Sequence, residues 1–351
     1  MGEAARDPTL LALIALAGGL FLVTVAFSFY AIFLRLRNQR RDARRAALAE
    51  RWQDALLTVL ADPETIPDLH RLVDDNRHIH FVGFVLEFAR RVRGEESGIM
   101  RDVVRPFLGP IAERVQSDQV EVRARAIQTL GTLGLPEHEG IVIAALDDPS
   151  PLVAMVAARA LAKEGEPRYS RAVLAKIHRF RIWNRPYLAS MLAAMGPEVS
   201  DGLRRGLADR DLGDWARSVL AEALYLQTDF EAGDVAAQVV ATEESPTLLI
   251  SALRLLSEVG RPVHLPVVME RVRSHDVAVR AQALRALGRL GGRAELPLLV
   301  DALDDEFAWA ALYAARGVRD AGGRGILLEA SRGDDRRARL AAQVLAEEGK
   351  Q

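Results

Sequence analysis

Two patterns of apolar positions divide this chain. From Leu10 to Leu34, 25 consecutive residues carry no charge, and the run stops at Arg35, the first residue of RLRNQRRDARR. As a helix it would cover roughly 37 Å at about 1.5 Å per residue, against about 30 Å of bilayer hydrocarbon. The expectation is one transmembrane helix over 10–34, preceded by a short extracytoplasmic tail, 1–9. A cleaved signal peptide fits less well, because the start carries Glu3, Arg6 and Asp7 and the run ends in arginines, not in small residues. Arg35, Arg37, Arg40, Arg41, Arg44 and Arg45 then form a basic juxtamembrane segment, 35–45. They predict an outside N-terminus, contact with anionic lipid, and an inner (cytoplasmic) membrane location with the remainder of the chain in the cytoplasm.

The second pattern is a repeat. Leu130, Leu161, Leu192, Leu256, Leu287 and Val318 each stand four residues before a glycine, at Gly134, Gly165, Gly196, Gly260, Gly291 and Gly322. Leu224 keeps the register but has Thr228 in place of the glycine, and the steps between markers are then 31, 31, 32, 32, 31 and 31 residues. A last, shorter step leads to Leu345 and Gly349. Four before each marker stand Ala126, Ala157, Leu188, Leu220, Ala252, Ala283 and Ala314; eight before it stand Val122, Val153, Asn184, Ala216, Leu248, Val279 and Ala310. Steps of four lie on one helical face, so each unit carries an apolar stripe, with small residues that let neighbours approach. The glycine sits where a helix ends in a left-handed residue. A second apolar helix follows, ending near Leu146, Ile177, Leu207, Val240, Val272 and Leu303. Asp147-Asp148 and Asp304-Asp305 are placed to cap the next first helix. One hairpin cannot bury its own stripe, but a stack can. No strand-like alternation runs for a useful length, so the fold class is all-α.

SDQVEVRARAIQTLGTLG (117–134), DPSPLVAMVAARALAKEG (148–165) and SHDVAVRAQALRALGRLG (274–291) share an Asp, Val-Arg, Ala and Ala-Leu-Gly skeleton. This skeleton resembles the short, bilin-lyase-type HEAT-like repeats of bacteria. The resemblance covers 117–351, and 46–116 reads as a divergent helical cap of the same solenoid. With the apolar stem, the whole chain resembles bacterial membrane-anchored HEAT-repeat proteins. What the resemblance implies is a scaffold that binds a partner protein through the second helices of successive units, the partner being a component of envelope glycan or glycosyltransferase systems. It also implies an alternative, a HEAT-like lyase or hydroxylase acting on a protein.

Charge and residue types narrow these readings. There is no cysteine, which excludes disulfides and thiolate chemistry. Residues 1–45 hold 7 Lys+Arg against 3 Asp+Glu, leaving 39 against 45 for the rest, a net of −6. A nucleic-acid binder would show a basic surplus there. His70, His78 and His80 gather near Asp68, Asp74 and Asp75, but the two-residue step from His78 to His80 puts them on different helix faces, and the expectation is solvated loop histidines without metal. His138-Glu139 stands alone, whereas the iron hydroxylase type carries several such pairs. No phosphate loop, dinucleotide fingerprint or nucleophile elbow occurs. Neither catalytic residues nor a cofactor is expected, and the oligomeric state is open.

One segment breaks the repeat. HRFRIWNRPY (178–187) interleaves Arg179, Arg181 and Arg185 with Phe180, Trp183 and Tyr187, and Asn184 interrupts the stripe. Trp, Tyr and Arg are the residue types that dominate binding hot spots. Arg204 and Arg205, one unit later, extend the basic stripe. These seven residues, Arg179, Arg181, Trp183, Arg185, Tyr187, Arg204 and Arg205, are the candidate partner-binding set. Trp215 and Trp309 fall on first helices and are expected in the core.

Overall fold

The computed structural model describes residues 8–74, 77–89 and 95–348. The chain forms two compact units, Met1–Pro110 and Ile111–Gln351. Among the described residues every regular element is helical.

The first unit begins with α1, a helix of 54 residues from Pro8 to Ala61. Helices α2 (Ile66–Arg71), α3 (His78–Ala89) and α4 (Glu95–Val104) follow. The C-terminal part of α1 belongs to the core of this unit: Trp52, Leu56 and Val59 are buried with Leu69, Phe81, Val85, Met100 and Val103. The Trp52 ring meets Phe81 edge-on at 5.3 Å, and Phe81 meets Phe107 at 5.2 Å. The histidines lie on α2 and α3, not in a solvated loop. His70 donates from Nε2 to the Val103 carbonyl at 2.9 Å, and both His70 and His78 pack on the Phe107 ring. Asp75 lies outside the described residues, as do 1–7 of the tail and Gly349.

The membrane assignment is corrected. Among the described residues no helix is long and apolar enough to cross a membrane. The apolar run does not end as a helix at Leu34. It is the opening part of α1, which continues without a break through the arginine segment to Ala61 and ends in the protein core. The transmembrane assignment of 10–34 is therefore withdrawn. With it go the single-pass topology, the outside N-terminus, the inner-membrane location, and the lipid-facing role of Arg35, Arg37, Arg40, Arg41, Arg44 and Arg45. Arg35 is exposed; the side chains of Arg37, Arg40, Arg41, Arg44 and Arg45 lie outside the described residues.

The second unit opens on the short helix α5 (Gly109–Glu113) and is then a run of pairs. These are α6 (Val120–Leu133) with α7 (Pro136–Ala144), α8 (Pro151–Glu164) with α9 (Pro167–Leu174), and α10 (Arg185–Ala193) with α11 (Ser200–Ala208). Then come α12 (Gly213–Gln227) with α13 (Gly233–Thr242), α14 (Pro246–Val259) with α15 (Leu265–Arg271), α16 (Val277–Leu290) with α17 (Leu296–Asp301), and α18 (Ala308–Asp320) with α19 (Arg324–Ala330). Helix α20 (Arg336–Glu348) closes the run. All seven markers from Leu130 to Val318, and all seven residues four before them, are buried on the even-numbered first helices. A buried leucine contributes about 1.5–3 kcal/mol, so the stripe is the main source of cohesion. Successive first helices pack more extensively than successive second helices, except between α8 and α10, where the late start of α10 removes the advantage. Small residues permit this: a Cβ on Gly131 would fall 2.3 Å from Ala160 Cβ, and one on Gly288 only 2.2 Å from Gly317 Cα.

The turns differ in detail from the expectation. Gly134 and Gly165 are left-handed, with φ of 59° and 68°. Gly260 and Gly291 are extended. Glycine is required there for a different reason: a Cβ would lie 2.5 Å from the Leu256 carbonyl and 2.7 Å from that of Leu287. Thr228, which occupies the missing glycine's place, is left-handed at φ 53°, the one non-glycine in that region among the described residues. A β-branched residue is strained there. Thr228→Gly is therefore expected to stabilise the second unit by about 0.5–1 kcal/mol, less than the strain released because glycine loses more chain entropy. Urea denaturation checks this; an unchanged or lower midpoint would refute the strain.

An arginine–aspartate clamp recurs across the units. Arg123 donates to Asp148 through Nε and Nη2, both at 2.9 Å, and to the Ser117 carbonyl through Nη1, also at 2.9 Å. Five units later Arg280 repeats the arrangement on Asp305 at 2.6 and 3.1 Å, with Ser274 taking Nη1. Each aspartate also accepts a backbone N–H of the next unit, from Ser150 or Phe307. So one carboxylate closes the turn that leads into the following first helix, at that helix's N-cap residue, and anchors the preceding first helix. The Arg123 guanidinium holds the Asp148 carboxyl below the ordinary carboxylate range, and Arg280 does the same to Asp305. Arg204 makes a third clamp on Asp229, at 2.7 and 2.9 Å.

Candidate functional site

The segment 178–187 links α9 to α10. A 3-10 turn, Ile177–Phe180, buries Ile177 and Phe180 and leaves their polar neighbours at the surface. Asn184 interrupts the apolar stripe because it is the N-cap of α10, its side chain accepting the Tyr187 N–H at 3.2 Å. The helix thus starts later than the repeat predicts, and the residues released from it form the exposed link. Ile182 is 73% exposed and Tyr187 38%.

The structure brings some of the candidate residues together. The Trp183 and Tyr187 rings lie 6.1 Å apart, tilted by 32°. The Arg181 guanidinium lies over Trp215 at 5.8 Å. Trp215 is therefore half-buried at the edge of this patch, not in the core, and it stands 32 residues after Trp183, a one-period spacing that could have revealed it. Arg179 donates to the Asp148 carbonyl at 2.5 Å, next to the first clamp. Three buried donors of the segment have no partner: Arg179 Nε, Trp183 Nε1 and Arg185 Nη1. Such groups cost about 1–3 kcal/mol each when unsatisfied, so they mark places where an acceptor would be welcome.

Two candidates are used elsewhere. Arg204 is held by Asp229 and, at 2.9 Å, by Glu231, and its side chain is only 18% exposed. Arg205 pairs with Asp201 at 2.9 Å and lines a cleft of about 410 Å³ between α9 and α11, together with Arg171, Glu198 and Asp209. Trp309 also departs from expectation: it is 43% exposed and lies 6.0 Å from Tyr313 on α18. Among the described residues no group of three or more His, Asp or Glu is arranged to hold a metal. Glu139, of the lone His-Glu pair, is held by Arg168 at 3.1 Å.

The profile of HEAT repeats matches residues 106–178 and 234–319. These stretches are HEAT repeats. The second unit is accordingly an all-α, HEAT-like solenoid. The match speaks for the repeat alone; a bacterial, membrane-anchored form does not follow from it. The interval between the two matches holds most of the candidate segment, Arg204, Arg205 and Thr228, which is where the stack departs most from regularity. Among solved structures, the karyopherin Kap121p bound to the extreme C-terminus of the protein phosphatase Cdc14p is 14% identical, with a TM-score of 0.48 over 85% of this chain and 41% of that one. Human deoxyhypusine hydroxylase in complex with glycerol is 15% identical, with a TM-score of 0.31 over 79% of this chain and 98% of that one. The CpcE–CpcF complex of phycocyanin lyase from Nostoc sp. PCC7120 is 16% identical, with a TM-score of 0.27 over 76% and 88%. This chain spans about two fifths of the length of Kap121p. No curated protein matches the sequence.

Proposed function

We propose that this protein is a HEAT-repeat scaffold whose solenoid binds a partner protein, with 178–187 as a contact segment. The observation that carries the reading is the exposed cluster of Arg181, Ile182 and Tyr187 beside the Trp183 and Trp215 rings, on a segment that the Asn184 cap releases from the helix. Aromatic and arginine side chains of this kind dominate protein interfaces when they are covered. The repeat architecture suits such a role, since stacked units expose long surfaces. Kap121p, a karyopherin of similar repeat architecture, is seen bound to protein segments, which accords with the reading without carrying it.

Trp183→Ala is expected to weaken the complex by about 2 kcal/mol, or roughly thirtyfold. The test is crosslinking of the full chain in intact cells, with Phe230→Ala as the control, since Phe230 is 71% exposed and lies outside the segment. Loss of the main crosslinked species in Trp183→Ala but not in Phe230→Ala supports the site. Its persistence in both variants removes the segment from the interface.

A further inference from the structure

The closest helix pair in the second unit creates a second basic surface. Where α16 and α18 approach at Gly288 and Gly317, they enclose a groove of about 210 Å³. Its charged and aromatic walls are Arg285, Arg289, Tyr313, Arg316, Arg319 and Asp320. Three of the arginines have carboxylates. Arg316 is forked onto Glu347 at 2.7 and 3.0 Å, Arg319 holds Asp320 at 2.8 Å, and Arg289 reaches Glu258 at 3.3 Å. Arg285 has no carboxylate partner among the described residues, and it is half-buried on the groove wall.

The same register one unit earlier shows the same surplus. Arg254 stands 31 residues before Arg285, as Arg285 stands 31 before Arg316. Its guanidinium lies over the Tyr225 ring at 4.4 Å, without a carboxylate. Arg254 Nε and Gln282 Oε1 are both buried and unpartnered, and Gln282 is the residue in register with Tyr313. Three successive first helices thus present arginines in one row, of which two lack a counter-charge. Trp309 adds an exposed apolar ring one turn before Tyr313.

We propose that this row binds an extended, acidic segment of a partner protein, with an apolar side chain of that segment seated on Trp309. Neighbouring helices are about 8–10 Å apart, and an extended chain in the polyproline II conformation, with three residues per turn, covers about 9 Å in three residues and returns to the same face. Carboxylates at every third residue would therefore meet Arg254, Arg285 and Arg316 in turn. A nucleic-acid strand fits less well: it carries a charge on every unit and cannot avoid Glu258, Asp320 and Glu347 beside the groove, whereas a peptide can carry neutral residues between its carboxylates. The site lies on the first-helix layer and does not rest on the segment 178–187.

The probe is a fluorescein-labelled peptide with glutamate at every third residue, one phenylalanine and otherwise neutral residues, titrated with the full chain by anisotropy at low ionic strength. Arg285→Gln is expected to weaken binding roughly tenfold, Arg285→Lys to restore most of it, and Trp309→Ala to weaken it by about the same factor as Arg285→Gln. Arg285 makes no ion pair among the described residues, so thermal melts of Arg285→Gln should match those of the parent. Trp183→Ala should leave this titration unchanged. Failure of the parent chain to bind the peptide, equal affinity in Arg285→Gln, or tighter binding of a single-stranded oligonucleotide of matching length would each overturn the proposal.

Discussion

Gly288→Ala is expected to cost about 3 kcal/mol, the upper end for an inserted methyl group, and to lower the melting temperature of the second unit by roughly 6–12 °C. The reason is backbone. The new Cβ would lie 2.2 Å from Gly317 Cα and 3.1 Å from its carbonyl carbon and oxygen. No rotamer can relieve that contact, because nothing there rotates; α16 and α18 must separate. Separation uncovers Leu284, Leu287, Ala314 and Val318, all now inaccessible to solvent. Gly325→Ala is the control. Gly325 lies on α19 with open space where its Cβ would be, and alanine favours a helix over glycine by about 1 kcal/mol. Circular-dichroism melts should therefore move in opposite directions for the two variants. A Gly288→Ala protein that melts with Gly325→Ala would show that the helices are not in backbone contact.

Asp305→Ala should be nearly as damaging, at about 3 kcal/mol near neutral pH. It strands the Arg280 guanidinium, which is only 14% exposed, and removes the acceptor of the Phe307 N–H. This loss carries a pH signature. The Arg280 hydrogen bonds keep the Asp305 carboxyl below the ordinary carboxylate value, against the opposing effect of burial. A depressed folded-state value means that the stabilisation is complete above the unfolded carboxylate's range, near pH 4, and disappears as the pH falls through the folded value. The gap between parent and Asp305→Ala should thus be widest at neutral pH and narrow below about pH 4. Asp148, held by Arg123, predicts the same behaviour in the first of the clamps. Urea titrations across that range decide the matter; a gap independent of pH would mean that the carboxylate is not ionised against arginine.

The repeat was legible because its markers are dense and its period nearly constant. Leu130 to Val318 and the small residues one turn before them fix which helix face is inward, and all are buried. The aspartates at 148 and 305 were readable as acceptors at a helix start, but the N–H each accepts belongs to the N-cap residue, Ser150 or Phe307, and not to the helix's first turn. Their arginine partners were not readable, since Arg123 and Arg280 are 25 residues upstream and pairwise spacing on one helix says nothing about contacts across a hairpin. Comparing units would have paired them, because the Val-Arg and the Asp recur together. Asn184 looked like a defect in the stripe and is a cap, which shortens α10 and frees the aromatic link. Trp309 was misplaced because it lies beside Ala310, which does face the core. The apolar stretch before Arg35 misled for a related reason. Residue hydropathy was read as ending an element where the backbone continues one, and α1 runs through the arginines to Trp52 and Leu56. The groove at Arg285 had no local signal at all; it depends on two glycines on different helices meeting, Gly288 and Gly317.

The clamp has a consequence for how such a chain can change in length. Its arginine and aspartate are 25 residues apart, inside a single period of about 31. An in-frame duplication of one period would therefore carry both halves of the fastening with it, together with the acceptor for the turn that follows. The newcomer would bond to its neighbours as the original did, adding about 8–10 Å of rod. Extension by copying is thus written into the geometry, and growth of the molecule by whole modules requires no new chemistry.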